Sequence, residues 1–149
     1  MPDRTESTIV IGAPSADVLE VIADFEAYPE WTGAVKSAEV LETDADDRPV
    51  RARFALDAGV IRDTYVLDYT WDVDAEGAGS LSWTLVESTV LKALDGTYEL
   101  HPVDAGTAVR YALAVDVRMP MLGMLRRKAE KAIIDTALNE LKKRVESGT

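Results

Sequence analysis

The order of the predicted elements along this chain constrains its fold more than any single motif does. A short strand over residues 7–12 and a helix that starts near Ser15 precede an aromatic segment at 24–31. About six further strands, each recognised by alternating apolar and polar residues, come next. A long amphipathic helix over residues 122–146 follows the last strand. Because consecutive strands on short turns pair antiparallel, we expect an α+β fold in which a curved antiparallel sheet wraps around one long C-terminal helix.

The aromatic segment, Asp24-Phe25-Glu26-Ala27-Tyr28-Pro29-Glu30-Trp31, is the most distinctive local sequence. Proline has no N–H to donate and disfavours helical geometry in the residue before it. We therefore expect the first helix to stop here and Tyr28 to leave helical geometry. Ser15 is the expected N-cap of that helix. Tyr28 and Trp31 either cap the mouth of a pocket and stack on a ligand, or only fix the short helices on the sheet.

The inner face of the predicted sheet and the apolar face of the last helix differ in side-chain size. The sheet positions are large: Tyr65, Tyr69, Trp71, Trp83, Tyr98 and Tyr111. The helix stripe has three-to-four spacing: Leu122, Leu125, Ala129, Ile133, Ala137, Leu141 and Val145. The middle of that helix is small, since Ala132 lies there as well. Small residues opposite a curved sheet leave room for an apolar ligand, whereas close interdigitation of large with small would fill it. The pattern alone is compatible with both.

Three features occur together in this chain: Ile9-Val10-Ile11-Gly12-Ala13-Pro14 leading into the first helix, the aromatic segment 24–31, and the closing helix. Together they resemble the polyketide cyclase/dehydrase-like and START-like superfamily, which has the helix-grip fold of the birch pollen allergen. The resemblance covers roughly residues 7–146 and implies one domain over residues 1–149. It also implies two short helices after the first strand and a deep hydrophobic pocket between the sheet and the C-terminal helix. Fold alone does not imply catalysis.

The resemblance implies binding or carriage of a hydrophobic small molecule, such as a lipid, a quinone or a polyketide-like compound. The residues expected to contact it are Tyr28, Trp31, Phe54, Tyr65, Tyr69, Trp71, Trp83, Tyr98, Tyr111, Ala129, Ile133 and Ala137. A first alternative is a polyketide-type cyclase or dehydratase, which needs polar groups that converge inside the pocket. A second alternative is a protein-interaction role in a toxin–antitoxin or ribosome-associated system, which a filled core would favour.

The composition excludes or disfavours several classes of ligand and site. The formal net charge of −11 disfavours nucleic-acid binding, because an acidic chain repels phosphate backbones. There is no cysteine, which removes disulfides, thiolate nucleophiles and thiolate metal ligands and is compatible with a cytoplasmic location. Residues 1–6 are polar and contain no signal-peptide-like apolar stretch. The sequence indicates no metal and no cofactor, and it does not indicate an oligomeric state.

Few side chains are candidates for catalysis. The resemblance implies that an aromatase/cyclase of this family uses polar pocket groups to orient a poly-ketone, and the candidates here are Arg62, Asp63, Arg110 and the tyrosines. Alternation, however, places Arg110 on the solvent face, and Arg62 and Asp63 lie beside a turn. His101, the only histidine, is a candidate general base, yet it has no evident carboxylate partner and adjoins a turn. The loop that contains Asp44, Asp46 and Asp47 lacks the ligand spacing of an EF-hand, so we expect a solvated turn.

A basic and apolar segment precedes and opens the last helix. Met121 and Met124 lie beside Arg126, Arg127 and Lys128 in an otherwise acidic chain. Apolar groups that enter a bilayer interface, next to cations that meet anionic headgroups, would suit transient contact with a membrane surface. Alternatively, the methionines pack at the start of the helix and the cations are ordinary surface residues.

Overall fold

The computed structural model describes residues 5–33, 35–57, 62–88, 90–117 and 123–147, with the backbone only at 125 and 126. The elements follow in chain order: β1 Thr5–Ile11, α1 Ser15–Ala23, a 3-10 turn Phe25–Ala27, α2 Tyr28–Trp31, β2 Val35–Thr43, β3 Pro49–Asp57, β4 Arg62–Val73, β5 Gly79–Ser88, β6 Leu91–Val103, β7 Gly106–Val117 and α3 Gly123–Glu146.

All seven described strands form one antiparallel sheet in the order β1-β7-β6-β5-β4-β3-β2. Strands β2 to β7 are consecutive neighbours, and β1 pairs with β7 on the other side. Helix α3 packs against β1 and β7. The predicted α+β helix-grip fold is therefore confirmed, including the short helices after the first strand.

Three glutamates anchor α3 to the rest of the protein. Glu130 is 1% exposed, and its carboxylate accepts hydrogen bonds from the Thr5 hydroxyl and from the backbone N–H of Val115, both at 2.6 Å. Near the C-terminal end of α3, Glu146 accepts from the backbone N–H of Gly12 at 2.8 Å. Between them, Glu140 accepts from the Thr32 hydroxyl at 2.9 Å. The helix is thus held at both ends of β1 and at the residue that follows α2.

Two local predictions in the helical region are wrong. Ser15 does not cap α1, because Pro14 occupies the N-cap position and Ser15 is the first helical residue. The Ser15 hydroxyl is instead buried, 3.1 Å from the hydroxyl of Thr107. Tyr28 keeps helical geometry, with φ −52° and ψ −42°. Pro29 causes no break because it lies in the first turn of α2, where a helix makes no use of the missing N–H.

The apolar stripe of α3 is shifted from the predicted one. Ala129, Leu141 and Val145 are buried as expected, but Ile134 and Leu138 are buried as well. Ala132 is exposed and lies outside the core. Ile133 and Ala137 are half-buried at the edge of the stripe, which is where a cavity opens. The predicted stripe position Leu122 lies outside the described residues.

Candidate ligand-binding cavity

A cavity of about 100 Å³ lies between the inner face of the sheet and α3. Eight of its described walls are aromatic: Tyr28, Trp31, Phe54, Tyr65, Tyr69, Trp83, Tyr98 and Tyr111. Helix α3 contributes Ile133, Thr136 and Ala137. The remaining described walls are aliphatic except for one threonine: Thr32, Val35, Leu56, Leu67, Leu81, Leu94 and Leu113. Such a lining, apolar with a few hydroxyl groups, is typical of sites for hydrophobic small molecules.

The strand register brings three rings together on one wall of the cavity. Tyr98 in β6 pairs with Tyr111 in β7, and their ring centroids are 4.6 Å apart. Trp83 in β5 contacts both rings, with centroid distances of 5.4 and 5.5 Å. Trp83 can lie flat because its neighbour across the strand pair is Gly96, whose position has no room for a Cβ beside the indole ring.

A second group of rings forms where α2 meets β3. Phe54 lies 6.0 Å from Tyr28 and 5.9 Å from Tyr65 between ring centroids. The indole of Trp31 packs on Tyr28 edge-on at 5.1 Å. Because the Tyr28 hydroxyl donates a hydrogen bond to the carbonyl oxygen of Ile22, the end of α1 holds this ring in place. The sequence Tyr28-Pro29-Glu30-Trp31 thus forms one wall of the cavity.

The aromatic wall is electrically neutral. None of the lining residues that the structure describes carries a charge. Burial raises the pKa of Tyr28, Tyr69, Tyr98 and Tyr111 well above the usual phenol value, and it raises the pKa of Tyr65 as well. Each phenol is therefore protonated near neutral pH and acts as a hydrogen-bond donor or acceptor, not as a base.

Within the described residues, most of these phenol groups have no hydrogen-bond partner. Only the Tyr28 hydroxyl has one in the described part of the chain, which leaves those of Tyr65, Tyr69, Tyr98 and Tyr111. Among the described residues, no fully buried side-chain oxygen or nitrogen lacks a partner. These four hydroxyls therefore border accessible space, and all four residues line the cavity.

The cavity brings together all the predicted contact residues except Trp71 and Ala129. Trp71 lies farther along β4, where its indole N–H donates to the carbonyl oxygen of Pro49 at 2.6 Å and its ring stacks on Phe25. Ala129 is 4% exposed and belongs to the packed core instead of the cavity wall. These two positions are outside the site.

Sequence reasoning missed the aliphatic walls. Leu67, Leu81 and Leu113 lie two residues from a predicted aromatic position on the same strand, so each shares its face. Alternation alone could have found them. No comparable signal exists for Thr32, which enters the wall because α2 folds back over the sheet.

The polar candidates for catalysis lie away from the cavity. Arg110 pairs with Glu99 at 2.6 Å and with Glu6 on the outer face of the sheet. The His101 side chain is 63% exposed and lies 3.4 Å from the same Glu99, so the expectation that it lacks a carboxylate partner is wrong. Arg62 is exposed and pairs with Asp57 at 3.2 Å.

Two further acidic groups have structural hydrogen bonds. Asp63 accepts one from the Ser88 hydroxyl. In the acidic loop, Asp44 accepts from the backbone N–H groups of Asp46 and Arg48, which makes it a turn-forming residue. Among the described residues, no cluster of three or more acidic or histidine side chains could hold a metal ion.

Trp31 also lines a second, larger groove. This groove, about 410 Å³ in volume, lies between α1 and the C-terminal end of α3. Its walls include Asp17, Glu20, Asp24, Arg144 and Trp31. Trp31 is thus the side chain shared by both spaces.

The basic segment is only partly described. Met124 is 76% exposed, and Arg127 and Lys128 on the same turn of α3 are exposed too. Met121 and the side chain of Arg126 lie outside the described residues. In the described ranges, no helix is long and apolar enough to cross a membrane.

Comparison with known proteins agrees with this architecture. The family model "Polyketide cyclase / dehydrase and lipid transport" matches residues 11–142, so the chain belongs to that family. A search of curated proteins finds no match.

Three solved structures have the same fold at low sequence identity. A START superfamily protein from Mycobacterium smegmatis superposes with a TM-score of 0.88 at 20% identity, covering 98% of this chain and 99% of that one. The Zhui aromatase/cyclase from Streptomyces sp. R1128 gives 0.77 at 18% identity, covering 98% and 94%. A STAR-related lipid transfer protein fragment from Xanthomonas axonopodis gives 0.79 at 17%, covering 96% and 85%. Proteins of this fold thus include both an aromatase/cyclase and a lipid transfer protein.

Proposed function

We propose that this protein binds a hydrophobic small molecule in the cavity between the sheet and α3, as a carrier or binding protein. The observation that carries the proposal is the neutral, largely aromatic lining, in which no described wall residue supplies a charge. Family membership supports the same class of ligand. A cytoplasmic location and a single domain over residues 1–149 are part of this proposal.

The size of the cavity limits which ligands fit unless side chains of the wall move. A volume of about 100 Å³ is comparable to cavities that hold a single aromatic ring. Sites for drug-sized ligands span about 300–1,000 Å³. A lipid or a polyketide would therefore need the cavity to widen, and rotation of Trp31 would join it to the outer groove. Tyr28 is less suited to this movement because its hydroxyl is bonded to Ile22.

The test is native mass spectrometry of the purified protein, followed by solvent extraction and identification of any bound compound. Ala137→Phe places a ring in the cavity, whereas Ala132→Phe places the same ring on the exposed side of α3. We expect Ala137→Phe to lose the bound compound and Ala132→Phe to keep it. Equal retention by both variants would contradict binding in this cavity.

A second function, a polyketide-type cyclase or dehydratase, is favoured by the free phenol groups. A neutral phenol can donate a hydrogen bond to a ketone oxygen and polarise it, and several face the cavity here. The test is whether the protein accelerates ring closure of a poly-β-ketone thioester over the buffer rate. Retained acceleration in a variant with Tyr98→Phe and Tyr111→Phe would contradict a role for those phenols. A filled core would have favoured the protein-interaction alternative, and the cavity gives it no support.

Membrane contact through the start of α3 is also part of the proposal. An exposed methionine next to two exposed cations suits the surface of an anionic bilayer. We expect a variant with Arg127→Glu and Lys128→Glu to sediment less with phosphatidylglycerol vesicles. Lys143→Glu, an exposed change in the last turns of α3, is the control. Binding that is absent in the unmodified protein, or equal in all forms, would rule this contact out.

A further inference from the structure

Tyr98 and Tyr111 stand side by side on the cavity wall with both hydroxyl groups available. Their side chains point to the same face because the two residues pair directly across β6 and β7. Each residue is only 7% exposed, and each lines the cavity. Two neighbouring donors match an oxygen with two lone pairs, such as that of a ketone.

Two other polar aromatic groups near the cavity have backbone partners, whereas the hydroxyls of Tyr65 and Tyr69 have none in the described part of the chain. The Tyr28 hydroxyl donates to Ile22, and the indole N–H of Trp71 donates to Pro49. Both partners are carbonyl oxygens that the protein itself supplies. By contrast, no described residue accepts a hydrogen bond from the hydroxyl of Tyr98 or Tyr111. Burying a phenol rather than a phenylalanine ring costs free energy unless its hydroxyl finds a partner. A ligand oxygen would provide one.

The same wall disfavours a charged ligand. A carboxylate moved from water into apolar surroundings needs a cation or several strong donors. Among the described walls there is no lysine, arginine or histidine, and Arg144 faces the outer groove instead. Packing against Trp83, which lies within 5.5 Å of both tyrosine rings, favours a flat ring over a flexible acyl chain.

We infer, on the basis of the proposed function, that the cavity selects a neutral ring compound with an acceptor oxygen, which Tyr98 and Tyr111 bind through their hydroxyl groups. These two tyrosines are then specificity-determining residues. They distinguish an oxygenated aromatic ligand from a pure hydrocarbon and from a free fatty acid.

A pair of probes of equal shape tests this selectivity. Acetophenone and α-methylstyrene differ only in a C=O group in place of C=CH₂, and both are close to the size of one ring. Their dissociation constants are measured by NMR titration of the full chain, and benzoate serves as the anionic probe. The difference in hydration of the two probes cancels when the ratio of dissociation constants is compared between variants.

The variants are Tyr98→Phe and Tyr111→Phe, each with its folding checked by thermal unfolding. The control is Thr97→Val, which removes a hydroxyl group from the outer face of the same strand, 3.2 Å from that of Ser82. We expect each tyrosine change to reduce the preference for acetophenone over α-methylstyrene by about 2- to 10-fold, the value of one net hydrogen bond. Thr97→Val should leave the preference unchanged.

The outcomes separate this inference from the proposed function. If both probes bind and neither tyrosine change alters their ratio, the inference is overturned and the apolar cavity stands. If benzoate binds more tightly than acetophenone, a neutral ligand is excluded. If no probe binds the unmodified protein, both the inference and the proposed function fail.

Discussion

The carboxylate of Glu130 accepts a hydrogen bond from the backbone N–H of Val115, 2.6 Å away, in the interior where α3 lies against β7. Strand β1 is described from Thr5, which pairs with Leu113, so Val115 lies past the last described pair of that ladder. The Glu130 side chain of α3 thus supplies the hydrogen-bond acceptor at this end of β7. The Thr5 hydroxyl bonds the other carboxylate oxygen and ties all three elements together.

Replacing Glu130 by alanine should be strongly destabilising. The change leaves a buried N–H without an acceptor, which costs about 1–3 kcal/mol. The matched change Glu146→Ala also removes a carboxylate that accepts a backbone N–H, that of Gly12, but at an exposed site where water can replace it. We expect the second change to cost clearly less stability than the first. Urea unfolding measures both, and equal losses would contradict the role assigned to Glu130.

Gly96 should be hard to replace because its neighbour across the strand pair, Trp83, occupies the space of a side chain. A Cβ at position 96 would overlap the indole ring. Gly96→Ala should therefore cost about 1–3 kcal/mol by overpacking and displace Trp83. Gly33→Ala is the control, since a Cβ there meets nothing within 4 Å and should change stability by less than about 0.5 kcal/mol. Urea unfolding monitored by tryptophan fluorescence measures stability, and an unchanged value for Gly96→Ala would argue against this packing.

The fold could be predicted because side-chain alternation and element order are local properties of the sequence. Tyr65, Tyr69 and Trp71 were correctly placed on one face of one strand. Alternation does not indicate where along a strand a cavity ends. Trp71 packs on Phe25 of the 3-10 turn and does not line the cavity. The same limit applies to α3, where spacing selected Ala129 and Ala137 alike. Only Ala137 lines the cavity. Which of the two alanines does so depends on how the helix lies across the sheet, and spacing along the helix does not reveal that.

Glu130 also lay beyond sequence reasoning. A charged residue within a helix is usually solvent-exposed, and nothing in the local pattern distinguishes this glutamate from its exposed neighbours. Its burial follows from a backbone N–H of β7 that needs an acceptor, which is a tertiary requirement. The burial of Ile134 and Leu138 likewise depends on how α3 packs on the sheet and not on the local pattern.

The buried tyrosines should make the protein sensitive to alkaline pH. Burial raises the pKa of all five phenols in the folded state, while an unfolded tyrosine titrates near pH 10. Above about pH 10 the unfolded chain releases protons that the folded chain retains, so stability is complete below that pH and falls as the pH rises. We expect phenolate absorbance at 295 nm to appear together with loss of structure measured by circular dichroism. The urea-unfolded protein, as control, should titrate near pH 10, and gradual ionisation of the folded protein near that pH would contradict the burial of these groups.

Replacing Ala137 or Ala129 by leucine should affect stability differently, since Ala137 borders open space and Ala129 lies in the packed core. Ala137→Leu adds apolar atoms to the cavity, where they remove empty volume, and should leave stability within about 1 kcal/mol of the unmodified protein. Ala129→Leu inserts the same atoms at a position that is 4% exposed and should cost about 1–3 kcal/mol. Urea unfolding measures the stability of the two variants. They are matched because both replace an alanine of α3 by leucine. Equal destabilisation would mean that the space beside Ala137 cannot accept side-chain atoms, and a ligand would then be excluded from it as well.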